Sequence, residues 1–306
     1  MEENIGGVKL NYKYYPGEDL YSDGKIEDEL LDIVQKYEEK DFNAVINEKK
    51  DWAILYHLSH IRQNIVSFLP LNKNDKVLEI GAGCGAITGR LADKAGAVTC
   101  IELSKKRSLI NAYRNKSRDN IEIMVGNFQD IEKGLTETYE CITLIGVYEY
   151  AEHYIKSAKN PYIDFLKIIK SHLSVNGKVV LAIENKYGLK YYAGCREDHV
   201  NMFFEGIEGY QSSYGAKTFS RNVISSYAEA AGFENIQFYY PHPDYKLPMI
   251  IYSDSYLPVE GELGRYGNYN FDQDRIILFD ENNAFNSCIR DGMFQQFANS
   301  FLMILS

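Results

Sequence analysis

Short apolar runs and helical periods alternate along the middle of the chain. Runs of about four to eight apolar, often β-branched residues predict buried strands, whereas apolar residues three and four positions apart predict helices. A helix with this spacing is expected after Ser104, and another at 161–173. Strands that alternate with helices predict an α/β domain with a parallel sheet. The strands predicted in this way are 77–80, 97–101, 121–125, 141–145 and 178–184.

Amphipathic helices dominate the region before the first of these strands. Apolar residues at helical spacing predict helices at 27–39 and 51–68, and Pro70 ends the second. Residues 1–26 are rich in Tyr, Gly and Asp, which predicts an irregular arm. We therefore expect residues 1–70 to form an N-terminal arm with a helical preamble.

Two less regular segments follow the predicted parallel strands. Residues 186–217 show no clear period and contain five glycines, which is typical of a lid or substrate loop. The runs 235–240 and 249–253 predict two more strands. We expect 71–253 to be the main domain and 254–306 to be a C-terminal extension outside the sheet, or the start of a further region.

Composition limits the partners and the compartment. The formal net charge is −10 and the lysines and arginines form no cluster, which argues against a nucleic-acid partner. Five scattered cysteines without a C-x-x-C pair predict reduced thiols, a cytoplasmic location and no metal site. Apolar runs are too short to span a bilayer, so no membrane span is expected.

A glycine-rich turn after the first predicted strand is the strongest chemical signal. Gly81, Gly83 and Gly85 follow the strand 77–80, and a helical pattern follows them. This arrangement brings backbone N–H groups and a helix N-terminus to a ligand. Glu102 ends the next strand, where an acid can accept hydrogen bonds from both hydroxyls of a ribose. A nucleotide-containing cofactor is therefore expected.

The pattern E-x-G-x-G-x-G, followed by an acid after the next strand, resembles the class I S-adenosylmethionine (SAM)-dependent methyltransferases. The resemblance implies SAM as cofactor and a Rossmann-like, seven-stranded sheet, closed by an antiparallel pair of strands at 235–240 and 249–253. The glycines also fit the dinucleotide pattern G-x-G-x-x-G/A, so an NAD(P)-dependent oxidoreductase is the alternative. By resemblance, the cofactor-binding residues are Glu79, Gly81, Ala82, Gly83, Gly85, Glu102, Leu103, Asn127, Phe128 and Gly146.

The segment 186–217 carries a narrower resemblance. N-K-Y-G-L-K-Y-Y-A-G-C-R-E-D-H and F-F-E-G-I-E-G-Y within it, and Y-P-H-P-D-Y-K-L-P after it, are similar to bacterial methyltransferase modules found with glycosyltransferases in cell-surface polysaccharide synthesis. This implies a small polar or glycan acceptor, methylated on oxygen, and association with a glycosyltransferase. Residues 146–150 also lack the N/D-P-P-Y/F signature of enzymes that methylate amino groups of nucleic acids.

A hydroxyl acceptor needs a general base close to its proton. His199 is one candidate, because it adjoins Asp198 in the predicted lid and histidine titrates near neutral pH. Glu149 and His153 are rivals at or after the end of the strand 141–145. Each of the three could instead be an ordinary surface or structural side chain. A SAM-binding module without turnover, serving a larger assembly, is the remaining alternative.

Overall fold

The computed structural model describes residues 2–19, 21–157, 159–213, 215–265 and 275–306. The chain divides into two compact units. The first comprises residues 1–144 and 172–178, and the second comprises residues 145–171 and 179–306.

The strands of the first unit form a mostly parallel sheet. Its strand order is β1-β2-β5-β4-β3-β6. Neighbours from β2 to β6 run parallel, and β1 pairs antiparallel with β2. The strands are β1 (Glu2–Ile5), β2 (Val8–Tyr14), β3 (Lys76–Ile80), β4 (Ala97–Glu102), β5 (Ile121–Gly126) and β6 (Tyr139–Ile145), whose last residue belongs to the second unit.

Helices before and between these strands supply an apolar cluster of the first unit. Leu30, Val34, Leu58 and Ile110 are buried together in this cluster. The helices are α1 (Ile26–Lys36), α2 (Phe42–Lys49), α3 (Trp52–Leu58), α4 (Asn64–Ser67), α5 (Thr88–Lys94), α6 (Lys105–Arg114) and α7 (Phe128–Ile131).

The first half of the N-terminal arm is not irregular as we expected, because it forms β1 and β2. Val8 and Leu10 are fully buried, and the residues between and after them are at least partly exposed. This alternation is the period of a strand with one buried face. β2 pairs in parallel with β5, so the first residues of the chain extend the sheet.

The helix predicted at 51–68 is interrupted. Ser59 has extended backbone angles (φ −61°, ψ 130°), and its hydroxyl accepts a hydrogen bond from the N–H of Ile61 at 3.3 Å. A serine that caps a new helical turn in this way ends the helix before it. The region therefore consists of α3, a 3-10 turn at His60–Gln63 and α4.

The second unit contains an antiparallel arrangement of strands. It includes residues 179–184 of β7 (Leu173–Glu184), together with β8 (Ile236–His242), β9 (Ile250–Ser253) and β10 (Ser300–Leu305). Their order is β7-β10-β8-β9, with antiparallel neighbours throughout. The α/β class and the expected antiparallel pair, here β8 and β9, are confirmed.

The C-terminal residues lie inside this sheet, whereas we expected residues 254–306 to lie outside it. All six residues of β10 are buried, and β10 pairs with both β7 and β8. An apolar run such as F-L-M-I-L shows that a segment is buried but not which strands it pairs with, so its place could not be predicted.

Aromatic side chains pack among the helices of the second unit. Tyr148 contacts Tyr162, Phe165 and Phe219 through ring stacking and edge contacts. The helices are α8 (Ala151–Tyr154), α9 (Pro161–Ser171), α10 (Leu189–Tyr192), α11 (Arg221–Ala230), α12 (Glu281–Arg290) and α13 (Phe294–Phe297). Within the described residues, no helix has the length and apolar character needed to cross a membrane.

The first part of the predicted lid is packed in the second unit, whereas most of residues 201–213 are at least partly exposed. Lys190, Tyr191, Cys195 and Glu197 are buried, and α10 lies within the segment. The segment has no hydrophobic period, as its sequence indicates, but many of its polar groups form hydrogen bonds or ion pairs inside the protein. A segment without a period can therefore still be ordered by hydrogen bonds and ion pairs.

Candidate functional site

The glycine turn of the first unit has the backbone that its sequence predicts. Gly81, Gly83 and Gly85 all have positive φ angles, of 69°, 52° and 75°. A Cβ on Gly85 would lie 2.3 Å from Oδ1 of Asn111, whereas a Cβ on Gly83 would meet nothing within 4 Å. Glycine is needed at these positions for its conformation, and the side of the turn at Gly83 is open. The N–H groups of Gly81 and Ala82 bind the carbonyl of Ile101 at the end of β4.

Glu102 lies against this turn, as its position in the sequence predicts. Its Oε2 accepts a hydrogen bond from the N–H of Gly83 at 2.7 Å, and its Oε1 accepts one from the N–H of Ser104 at 2.9 Å. Burial raises the pKa of the carboxyl, and the positive charge of Arg107 opposes that shift. Each carboxylate oxygen has a further lone pair, so Glu102 can accept hydrogen bonds from a ribose as well.

Glu79, which we expected to bind the cofactor, is buried beneath the turn, and its contact with a cofactor stays a prediction. Its side chain is buried under the turn, where Oε2 accepts hydrogen bonds from the hydroxyl of Thr88 at 2.7 Å and from Sγ of Cys100 at 3.4 Å. Burial raises the pKa of this carboxyl to about 7. Glu79 therefore joins β3 and β4 to the start of α5 and supports the turn from below.

The predicted adenine contacts lie after the end of β5. Phe128 is buried, and Leu103 is half-buried at the end of the neighbouring strand. Oδ1 of Asn127 accepts a hydrogen bond from the N–H of Gln129 at 3.0 Å, so this side chain caps α7. Gly146 belongs to the second unit, where its N–H donates to the carbonyl of Ala182.

The N-terminal residues bring an acid to the edge where β4 ends, which the sequence analysis missed. The carboxylate of Asp19 accepts hydrogen bonds from the N–H of Lys105 at 2.6 Å and from the hydroxyl of Ser104 at 3.0 Å. Arg107 forms ion pairs with Asp23 and Glu27 in the same region. Residues 16–19 are an exposed stretch without an apolar pattern, so the sequence carried no signal for this contact.

The second unit contains a buried cluster of Glu149, Glu184 and His199. Glu149 is 1% exposed and Glu184 is fully buried. Nε2 of His199 lies 3.4 Å from Oε2 of Glu184, and its Nδ1 lies 3.1 Å from the hydroxyl of Tyr150. One ligand atom from each of the three residues lies within 4.8 Å of the other two. We expected no metal cluster from the spacing along the chain, but the fold places these three residues together.

Ion pairs adjoin the cluster. Nζ of Lys246 lies 3.0 Å from Oε1 of Glu184 and 2.5 Å from Oδ1 of Asp198. Nζ of Lys190 lies 2.8 Å from carboxylate oxygens of Asp198 and Asp244. The sequence analysis missed Glu184. Its position at the end of a buried strand, like that of Glu102, is the signal that could have identified it. Asp244 and Lys246 stand in the quoted motif Y-P-H-P-D-Y-K-L-P.

The protonation states do not suit His199 as a base in this arrangement. Burial would lower the pKa of His199, but the Glu184 carboxylate outweighs it and raises the pKa to about 9. Burial would raise the pKa of Glu184, but Lys246 and His199 hold it below its ordinary value. Burial raises the pKa of Glu149 to about 8. These surroundings favour the protonated form of His199, whereas a base needs a neutral imidazole, so the role of His199 as a base stays a prediction.

His153, the third candidate base, is not a member of this cluster. Its side chain is exposed on α8 and packs beside Tyr154, with ring centroids 5.9 Å apart. Its ring also lies close to Gly215, where a Cβ would be 2.1 Å from Nε2. The structure thus brings two of the three candidate residues together and leaves His153 elsewhere in the second unit.

A solved structure of a methyltransferase has a fold similar to that of this chain. A chain of the complex between the Haloferax volcanii Trm112 methyltransferase activator and a methyltransferase matches with a TM-score of 0.51 and 17% sequence identity. The match covers 87% of this chain and 96% of that chain. The match shows that the chain has the Rossmann-like fold of the class I SAM-dependent methyltransferases.

Sequence comparisons match a smaller part of the chain. The family model for ribosomal RNA adenine dimethylase matches residues 55–191, less than half of the chain. Over 84 residues the chain is 33% identical to the ribosomal RNA small subunit methyltransferase A of Borreliella afzelii (strain PKo), which covers 27% of this chain and 30% of that protein. Over 76 residues it is 34% identical to the protein-L-isoaspartate O-methyltransferase 2 of Archaeoglobus fulgidus, which covers 22% of this chain and 33% of that protein. The chain thus spans about a third of the length of these curated relatives.

These matches correct the prediction of the partner. We expected a small-molecule or glycan acceptor and no nucleic acid, but the matching family and the Borreliella relative are named for ribosomal RNA. The physical reason is that the net charge of a whole chain does not describe the charge of one surface. The comparisons give no support to a role in polysaccharide synthesis or to a glycosyltransferase partner.

Proposed function

We propose that the protein transfers the methyl group of SAM to RNA. The observation that carries the proposal is the match of residues 55–191 to the ribosomal RNA adenine dimethylase family. This range contains the glycine turn, Glu102 and the ends of β3, β4 and β5, which are the parts of the first unit suited to a nucleotide cofactor. The Borreliella relative, by its name, supports the same acceptor class.

The first unit is suited to the binding part of this chemistry. Glu102 can accept hydrogen bonds from the ribose of SAM, and the open side of Gly83 leaves room for the cofactor beside the turn. The methyl group of a sulfonium is already activated, so much of the rate enhancement can come from holding it in line with the acceptor. The proposal therefore needs a cofactor site with fixed geometry, and the glycine turn supported by Glu79 fits that need.

The proposal does not extend to the amino group of adenine. Residues 146–150 read G-V-Y-E-Y and depart from the N/D-P-P-Y/F signature. Tyr148 is fully buried against Tyr162 and Phe165, so its ring is not available to stack on a base.

Transfer of a labelled methyl group tests the proposal. The protein is incubated with methyl-labelled SAM and either protein-free total RNA or RNA-free protein extract. We expect label in the RNA pool that ribonuclease removes and protease does not, and we expect Glu102→Ala to reduce it. Label that appears solely in the protein pool, as the Archaeoglobus relative's name would suggest, contradicts the RNA acceptor. Label in neither pool contradicts the proposed transfer.

A further inference from the structure

We propose that the second unit binds one divalent transition-metal ion, Mn²⁺ or Zn²⁺, through Glu149, Glu184 and His199. These residues come from three separate stretches: a turn after β6, the end of β7 and the loop after α10. Their ligand atoms lie within 4.8 Å of one another in the interior of the unit. The inference goes beyond the proposed methyl transfer and does not depend on it.

An unpartnered oxygen points to a missing ligand. Oε2 of Glu149 is buried, and the part of the chain that the structure describes offers it no hydrogen-bond partner. Glu149 itself is 1% exposed. A buried carboxylate oxygen without a partner costs free energy, so native proteins pair such atoms with a donor, an ordered water or an ion. A metal ion among the three ligand atoms would supply that partner.

The separation of the other two ligand atoms fits a shared ion. Nε2 of His199 and Oε2 of Glu184 are 3.4 Å apart, beyond the range of about 2.7–3.2 Å for good N–H···O hydrogen bonds. Two ligands bound to one ion at about 2.0–2.2 Å, at tetrahedral or right angles, lie roughly 3.0–3.5 Å apart. The pair is therefore spaced more like two ligands of one ion than like a strong hydrogen bond.

The neighbours of the cluster can orient both ligands. The hydroxyl of Tyr150 lies 3.1 Å from Nδ1 of His199, and an Nδ1–H that donates to it leaves the lone pair of Nε2 for a metal. Lys246 binds Oε1 of Glu184 at 3.0 Å and leaves Oε2 directed toward His199. Polar contacts of this kind to the far side of a ligand are usual around protein metal sites.

The charge of the buried cluster leaves room for a cation. A bound ion requires ionised carboxylates and a neutral His199, and in that state five carboxylates face two lysines, which leaves three negative charges unbalanced. In the ion-free protein, protons on Glu149 and His199 reduce this excess. A divalent ion would neutralise most of this excess, which is expensive to keep in a buried environment. The residues counted are Glu149, Glu184, Glu197, Asp198, Asp244, Lys190 and Lys246.

The donor set indicates the kind of ion. Mg²⁺ and Ca²⁺ prefer oxygen donors, whereas one imidazole with two carboxylates suits Zn²⁺ or Mn²⁺. Three protein ligands also leave at least one position of the ion open for water or another ligand.

Calorimetric titration of the whole protein tests this site. After treatment with a chelator and its removal, the wild type is titrated separately with Mn²⁺ and Zn²⁺. We expect one equivalent of at least one ion to bind. Glu149→Gln keeps the shape of the side chain and removes its charge, so it should weaken that binding by at least about tenfold. Glu152→Gln is the matched control, because Glu152 lies on the surface in an ion pair with Lys217, and its binding should equal that of the wild type.

Two results would overturn the proposal. One is a wild type that binds neither ion. The other is a folded Glu149→Gln variant that binds as tightly as the wild type. Electron paramagnetic resonance of added Mn²⁺ measures binding to the wild type independently, because the signal of the free ion decreases when the ion binds. A full free-ion signal at one equivalent, together with no Zn²⁺ binding in the calorimeter, confirms the first of these results, whether or not the variant folds.

Discussion

Glu79 and Glu102 end or nearly end neighbouring strands, and their carboxyl groups have different surroundings. Glu102 accepts hydrogen bonds from two backbone N–H groups beside the open glycine turn. Glu79 accepts hydrogen bonds from a hydroxyl and a thiol beneath the turn. The glycine spacing and the acid after the next strand were enough to predict the turn and Glu102. The direction of the Glu79 side chain could not be predicted, because both faces of a parallel sheet can be buried.

The buried carboxyl of Glu79 predicts a pH-dependent stability. Its pKa is 4.5 when unperturbed and about 7 in the folded protein, so the folded state holds more protons between these values. The free energy of unfolding should therefore fall as pH rises through this window, by on the order of 3 kcal/mol from this group. Glu79→Gln cannot ionise and should gain stability relative to the wild type by about that amount between pH 4.5 and pH 8.

Urea unfolding at both pH values measures this difference. Glu137→Gln is the control, because Glu137 is exposed and pairs with Lys76 on the surface of the same unit. Its stability relative to the wild type should change little with pH. If the stability difference between Glu79→Gln and the wild type is the same at pH 4.5 and pH 8, the pKa of the Glu79 carboxyl is not shifted in the folded protein.

At the scale of elements, the strands and helices with a clear apolar pattern were predicted best. The strands β3 to β7 and the helices α6 and α9 are where the pattern places them, within a few residues. β2 was missed because Tyr, Lys and Asn surround the two buried positions. The partner of β10 was missed because strand pairing depends on residues far away in the chain.

The segment 186–217 allows a prediction on hydrogen exchange. The N–H of Cys195 donates to the carbonyl of Lys190, and the N–H of Glu197 donates to that of Met202. Because the donor residues Cys195 and Glu197 are buried, their amides should exchange slowly in the free protein. Hydrogen exchange followed by mass spectrometry should show slow exchange in 189–200, unchanged when S-adenosylhomocysteine (SAH) is added. Fast exchange that slows with SAH would restore the mobile lid that we first expected.

At the scale of the whole molecule, charge was the least reliable guide. A net charge of −10 argued against nucleic acid, yet the family that matches residues 55–191 is named for ribosomal RNA. The cluster of Glu149, Glu184 and His199 could not be predicted either, since its members are 15 or more positions apart in the chain. The cofactor could be predicted because the residues that indicate it lie close together in sequence.

The account depends most on SAM binding at the glycine turn next to Glu102. Titration calorimetry with SAH, on the wild type, Glu102→Ala and the surface control Glu137→Ala, tests it directly. Loss of a charged hydrogen-bond acceptor costs about 1.5–3 kcal/mol, so Glu102→Ala should bind SAH roughly 10- to 150-fold more weakly. The wild type and Glu137→Ala should bind it equally well. A wild type that does not bind SAH, or a folded Glu102→Ala variant with unchanged affinity, would contradict the account.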